Sequence, residues 1–453
     1  MPICYNGAQM AHVFKTLLYI IPGFILLGCW SFLTVNVPYW DDYGAIVKYL
    51  AEPWPERWRT IWDFHNEHRI ATTRLVIDTL VMLNNGSFNF RMMMATGNII
   101  QFAYAITWLS VFRKCRSGIS AGIPVLWLLT SFIHYENTCW ALCSVQNIIV
   151  VTLIFAACLL FSKRKSSRIA FVLALFAGIT ATFSSGSGIL VWPCLIGMEM
   201  SEPFSNSGSW RKGFENVFAH MKSSSTRLLP LLAIATITSH CYLTNFPGGT
   251  TEQVVSLSNR IVNGFLFFVA FIGAIVPVYP AALALGLVLV PIMVFITIRY
   301  PHIKHPEIFW FMITQALTML AAAIFRATEP QMAVSSRYCI VSCSLFASIL
   351  FLGLELCPFN KNLTNWLLHA LTASIILYTS IFLVLGAPLF AKRNELLRRN
   401  ILTWPVYHQG LRTNNPEIDS TYLRKCVGRG IYNPKTLLKP GETNPRAPEP
   451  WLR

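Results

Sequence analysis

Asp41 and Asp42 stand side by side in "VPYWDDYGAI", residues 37–46, directly after an apolar run long enough to cross a bilayer. Two neighbouring carboxylates repel, so one of them holds its proton more tightly than a free aspartate does. A desolvated carboxylate can then take a proton from an attacking hydroxyl. The same pair would also suit the first turn of a helix beginning "DYGAIVKYL", as a cap without chemistry. Acidic residues are scarce and clustered: the chain has five aspartates, and Asp41, Asp42, Asp63 and Asp78 fall within or near one stretch, residues 36–90, with Glu52, Glu56 and Glu67.

"HNEHRIATTRL" follows and packs His65, Glu67, His68, Arg69 and Arg74 into ten residues. His65 and His68 have the spacing of half a metal site, but no further ligand cluster accompanies them, so no metal is expected. His68, Arg69 and Arg74 are read as groups that could receive phosphate oxygens, and a solvated polar loop is the alternative. Late in the chain, "FRATEPQMAVSSRYCIV" sets Arg326, Glu329 and Arg337 between two apolar runs. Charges so close to lipid usually mark a cavity or an ion pair, here Arg326 with Glu329. "HYENTCW" adds Glu136 and Asn137, and "TFSSGSGILVWP" breaks a helix with small residues where backbone could line a cavity.

The elements that must position these residues are read from composition. The 453 residues are 54% hydrophobic and 12% charged, which makes the chain a polytopic, all-α membrane protein. The net charge of +16 resides largely in short patches between apolar runs, the pattern of cytoplasmic loops and headgroup contact, and nucleic acid is not an expected partner. Twelve cysteines are scattered without a CxxC pair or a metal spacing. Apolar runs lie near 14–35, 92–112, 118–133, 139–161, 169–184, 188–199, 228–245, 261–279, 281–298, 307–325, 338–356 and 364–390.

The basic patches 113–116 and 163–168 assign those loops to the cytoplasm, and residues 36–90 to the opposite side. Arg326–Tyr338 shares that side only if one run fails to cross. The candidates are 188–199 and 261–279, with 261–279 favoured as a buried re-entrant element. About 11 crossings result. "EPWPERWRTIWDF" reads as a short helix in the headgroup layer. Residues 1–390 are expected to form the membrane domain, and 391–453 a basic polar tail or small appended domain.

"WDDY", "HNEHRI", "HYEN" with "VQN", "SSGSGILVWP" and "SSRY", in that order, resemble membrane glycosyltransferases of the GT-C superfamily, akin to serotype-converting O-antigen glucosyltransferases of bacteria and phages. The resemblance implies a GT-C-like bundle and inverting transfer from a polyprenyl-phosphate-linked sugar to a glycan acceptor. It places that transfer at the periplasmic face of a bacterial inner membrane. By position, Asp41 or Asp42 becomes the base, and Arg337, with Arg326, Arg69 and Arg74, faces the carrier phosphate. Tyr43, His65, Glu67, His68, Glu136, Asn137 and Tyr338 are expected to line the substrates, without a cofactor or metal. A transporter or flippase would share the spans and charges; against it stand the lack of an internal repeat and the charge at span ends. A noncatalytic assembly subunit would leave the aspartate cluster unexplained.

Overall fold

The computed structural model describes residues 7–207, 209–247, 256–299, 303–326, 328–356, 360–407, 411–413 and 415–438. The protein is built almost wholly from helices. The first apolar run forms α1 (Gly7–Leu33). Residues 36–90 then fold as a π-helical turn (Tyr43–Val47), α2 (Lys48–Ala51), α3 (Trp54–Thr60), a two-stranded hairpin of β1 (Phe64–His65) and β2 (His68–Arg69), and α4 (Ala71–Leu83). The bundle continues with α5 (Phe90–Phe112), α6 (Ile123–Leu129), α7 (Tyr135–Cys139), α8 (Ala141–Phe161), α9 (Arg168–Thr182) and α10 (Val191–Met200). Next come α11 (Glu202–Ser207), α12 (Trp210–Ser223), α13 (Ser225–Leu243), α14 (Leu257–Ile272), α15 (Tyr279–Ile298), α16 (Pro306–Phe325) and α17 (Cys339–Leu356). The long α18 (Lys361–Tyr407) and α19 (Pro416–Gly428) complete the described chain.

Side chains mark where helices start. Asn89 Oδ1 accepts the backbone N–H groups of Arg91 and Met92 at the head of α5, and Ser167 Oγ accepts that of Ala170 at the head of α9. Prolines occupy the first turns of α6, α15 and α16, where a missing N–H costs nothing.

Among the described residues, six helical stretches are long and apolar enough to cross a membrane: Lys15–Leu33, Ala141–Phe161, Tyr279–Ile298, Pro306–Phe325, Ser336–Leu356 and Lys361–Trp404. Other expected spans are shorter or broken. Run 118–133 contains only α6 between 3-10 turns, and run 188–199 begins in a 3-10 turn (Gly186–Leu190) before α10. Gly188 permits that break: a Cβ there would lie 1.8 Å from the carbonyl oxygen of Ala181.

Contacts between helix ends define two ends of the bundle. At one end Arg91 donates to Ser31 O (3.0 Å), Leu142 N–H donates to Asp42 (2.9 Å), Arg69 donates to Tyr242 O (2.8 Å), and Asn394 donates to Leu33 O (2.6 Å). At the other, Arg116 N–H donates to Glu355 (2.9 Å), Arg164 pairs with Glu199, and Arg227 pairs with Glu199 (3.1 Å). The stretch 186–199 therefore runs the length of the bundle, from Gly186 N–H on His68 to Glu199 on Arg164. Thr244 and Ala274 instead both lie at the first end. Thr244 O accepts from Arg69, and Ala274 O accepts from the Cys339 thiol at the head of α17 (3.1 Å).

The boundary expected at residue 390 falls inside α18, which continues to Tyr407. Beyond it α19 packs on the π-helical turn and α2. Tyr43, Ile46, Val47 and Leu50 thereby share a second apolar core with Leu423, Cys426 and Tyr432, apart from the main core of the bundle. In and just after α3, Trp54, Trp58 and Trp62 are exposed, while Arg57 is buried and pairs with Asp78 (3.0 Å). This is one apolar aromatic face and one anchored face.

Candidate functional site

The two aspartates have different surroundings. Asp42 is fully buried: its Oδ1 accepts Leu142 N–H (2.9 Å) and Trp140 Nε1–H (3.1 Å), and its Oδ2 accepts Tyr39 N–H (3.0 Å). It caps α8, a helix 100 residues further along the chain, rather than the turn it begins. Burial pushes its carboxyl up to about 8, against the three donors that hold it down. Asp41 is half-buried, and no described residue hydrogen-bonds its carboxylate. Burial holds Asp41 above the usual aspartate range; Arg337 opposes the shift, Glu67 adds to it and Arg326 opposes it. Trp40, just before it, is held at φ 52°, a left-handed conformation unusual for a bulky side chain.

Arg337 faces this carboxylate. Its guanidinium lies 5.8 Å from the Trp140 ring centre and 5.3 Å from that of Tyr338. It makes no hydrogen bond or ion pair with a described residue, and Nε is buried without a partner. Its backbone, in contrast, is held firmly. Glu136 Oε2 accepts Arg337 N–H (2.9 Å), Ser335 Oγ–H (3.0 Å) and Ser336 Oγ–H (3.2 Å). Arg337 O accepts from Asn137 Nδ2 (3.2 Å) and Asn147 Nδ2 (3.4 Å).

Arg326 also lies by Tyr338, 5.6 Å from its ring centre, and pairs with Glu67 at 2.8 Å rather than with Glu329. Glu67 occupies the tip of the hairpin, where Asn66 adopts φ 52° to turn the chain. Burial alone would raise its pKa, but His68, its own backbone and Arg326 bring it below the usual range. His68 accepts Gly186 N–H at Nδ1 (3.3 Å) and lies 3.5 Å from Glu67 through Nε2; burial lowers its pKa.

Several expected site residues serve the scaffold instead. Arg69 donates to the carbonyls of Tyr242, Trp62 and Thr244, with its guanidinium over Phe64 (4.1 Å). Arg74 donates to Thr60 O (2.8 Å), Ile61 O (3.1 Å) and Asp63 O (2.6 Å). Both tie the hairpin region to its neighbours; Arg69 commits Nε and both Nη groups, whereas Arg74 bonds through Nη1 alone and its Nε is buried without a partner among the described residues. Tyr43 is buried in the second core. Glu136 and Asn137 clasp the Arg337 loop. His65 faces His68 across the hairpin, and burial with Arg74 nearby holds it down at about 4, so it is neutral.

Among the described residues, the group within metal-ligand reach is Glu199, Glu202 and His220, at the opposite end. Arg164, Arg227 and Lys165 already pair with those carboxylates. Trp140 and Asn147 belong to the site, and the sequence reading had not assigned either as a site residue; "HYENTCW" and "VQN" were the available signals.

Comparisons with protein-family models, with curated proteins and with solved structures found no match. Asp41, Glu67, His68, Arg326, Arg337 and Tyr338 form one half-exposed cluster at one bundle end, in which no described residue hydrogen-bonds the Asp41 carboxylate or ion-pairs with the Arg337 guanidinium.

Proposed function

We propose that the protein is an inverting glycosyltransferase of the inner membrane, moving a sugar from a polyprenyl-phosphate carrier to a cell-envelope glycan at the periplasmic face. The observation that carries this reading is that Asp41 and Arg337 act on each other's charge while no described residue hydrogen-bonds the Asp41 carboxylate or ion-pairs with the Arg337 guanidinium. A protonatable base beside an arginine suits a reaction in which a hydroxyl loses a proton as a phosphate leaves.

In this reading Asp41 removes the proton from an acceptor hydroxyl. The acceptor oxygen attacks the anomeric carbon as the bond from that carbon to the phosphate oxygen breaks, with inversion. Arg337 stabilises the departing polyprenyl phosphate, and Arg326 lies within the same aromatic–cationic wall. Asp42 keeps Tyr39 and the head of α8 in place, and so fixes Trp140 beneath Arg337.

Eleven crossings are proposed: α1, α5, α6, α8, α9, α10 with its 3-10 turn, α13, α15, α16, α17 and α18. The position of both Thr244 and Ala274 at the Asp41 end supports this count.

Purified protein in detergent, given sugar-labelled polyprenyl phosphates and a lipid-linked oligosaccharide, tests the reading. The expected product is a glycan whose new linkage, read by NMR, has the configuration opposite to that of the donor. Retention of configuration, or no transfer from any polyprenyl-phosphate sugar, contradicts it.

A further inference from the structure

α12 lies at the end of the bundle opposite Asp41, and the transferase reading gives it no task. His220 Nε2–H donates to Glu199 O (2.9 Å), and the Glu199 carboxylate takes Arg164 and Arg227 at that end. The buried Ser224 closes the helix: its N–H and its hydroxyl both donate to His220 O (2.9 and 2.8 Å), and α13 begins at the next residue.

The helix has three faces. Gly213, Val217 and His220 turn to the bundle. A Cβ on Gly213 would lie 2.1 Å from the Phe204 ring, and Val217 packs on the main core. Phe214, Phe218 and Met221 form the second face, spaced i, i+4 and i+7 within an arc of about 60°. Phe214 touches Phe204 edge to face (4.9 Å between ring centres) yet stays 65% exposed, and Phe218 is 81% exposed. The third face is basic. Arg211 pairs with Glu215 (3.3 Å), while Lys212 and Lys222 are exposed and form no ion pair among the described residues. The helix therefore carries three basic residues against one acidic.

Two exposed phenyl rings beside the Glu199 ion pairs are not on the apolar length of a crossing helix. At such a level a membrane offers the acyl boundary on one side and headgroups on the other, and α12 has a matching apolar stripe and a basic flank. We infer that α12 lies in the plane of the membrane surface, with Phe214, Phe218 and Met221 in the acyl boundary and its lysines on the headgroups of anionic phospholipid. The excess of positive charge selects an anionic surface over a zwitterionic one. The inference makes no use of the transferase reading.

The test uses the full chain on a cysteine-depleted background, in nanodiscs of phosphatidylcholine with and without phosphatidylglycerol. A nitroxide is attached at Phe218→Cys on the apolar stripe or at Asn216→Cys on the polar side, both exposed positions. Its collisions with oxygen and with a water-soluble nickel chelate are compared. The oxygen-to-nickel ratio should be severalfold higher at 218 than at 216, and phosphatidylglycerol should raise it further at 218. Lys212→Glu with Lys222→Glu should remove that rise, and these exposed changes leave the packing of the bundle alone. Nickel contact at 218 equal to that at 216 overturns the inference. So does a ratio indifferent to phosphatidylglycerol, or a rise that survives the lysine changes. Spin–spin broadening at 218 would make a second copy of the chain the occupant of the stripe, and would also overturn it.

Discussion

Glu136 Oε2 holds the backbone N–H of Arg337 at 2.9 Å, across 201 positions of sequence, and takes the hydroxyls of Ser335 and Ser336 as well. One carboxylate oxygen therefore sets the height of the loop that carries the anion-free arginine. Replacing it by an amide leaves Arg337 in the chain but loosens its seat. Glu136→Gln should lower kcat/KM by about ten- to a hundredfold, the effect of about 1.5–3 kcal/mol from hydrogen bonds to a charged group. Most of that loss should appear in KM for the lipid donor, which separates positioning from chemistry. An unchanged donor KM would argue against the clasp.

Arg337→Lys keeps the charge and loses the planar fork. Donor use should fall by more than tenfold while the thermal midpoint stays close to wild type, because the guanidinium makes no hydrogen bond to a described residue. A large loss of stability with unchanged donor affinity would reassign Arg337 to the scaffold.

The pH dependence of stability should report Asp42. Its folded carboxyl is raised from 3.8 to about 8, so the folded state binds the proton more tightly than the unfolded chain does. The stabilisation is fully present below the unfolded value and is lost as pH rises through that window. Asp42→Asn should flatten this part of the profile of thermal midpoint against pH. It should also lower the midpoint at acid pH, where an amide is the poorer acceptor for three N–H groups.

The helical plan was legible from apolar runs because lipid-facing helices must be apolar along their length. The partners of polar groups were not legible. Arg69 and Arg74 have the type and spacing expected of phosphate ligands, yet carbonyls on the loop and on α13 take every donor group of Arg69 and the Nη1 of Arg74. Composition cannot tell a carbonyl from a phosphate. The end of the apolar pattern and the end of the helix part for a related reason. Lys392, Arg393, Asn394 and Glu395 end the apolar pattern without ending the helix, since such residues leave lipid while remaining helical. Asp41 and Asp42 were indistinguishable in sequence, and only contacts 100 residues distant give Asp42 its structural task.

Cysteine labelling on a cysteine-depleted background tests the shared face. Single cysteines at exposed Lys48 and Met332 should react with a membrane-impermeant reagent from the same side, and one at exposed Lys163 from the other. Labelling of Lys48 and Met332 positions from opposite sides would separate Asp41 from Arg337 and dissolve the site.

The central claim is that Asp41 takes the acceptor proton, and single-turnover sugar transfer by Asp41→Asn beside wild type tests it most directly. Burial keeps the Asp41 pKa above the ordinary aspartate value, so wild-type transfer should rise with pH through a midpoint above that value and then level. The variant should bind the polyprenyl-phosphate donor normally and lose transfer by about a hundredfold or more, the usual span of a general base. Wild-type transfer rates in Asp41→Asn, at any pH on that profile, would contradict the account.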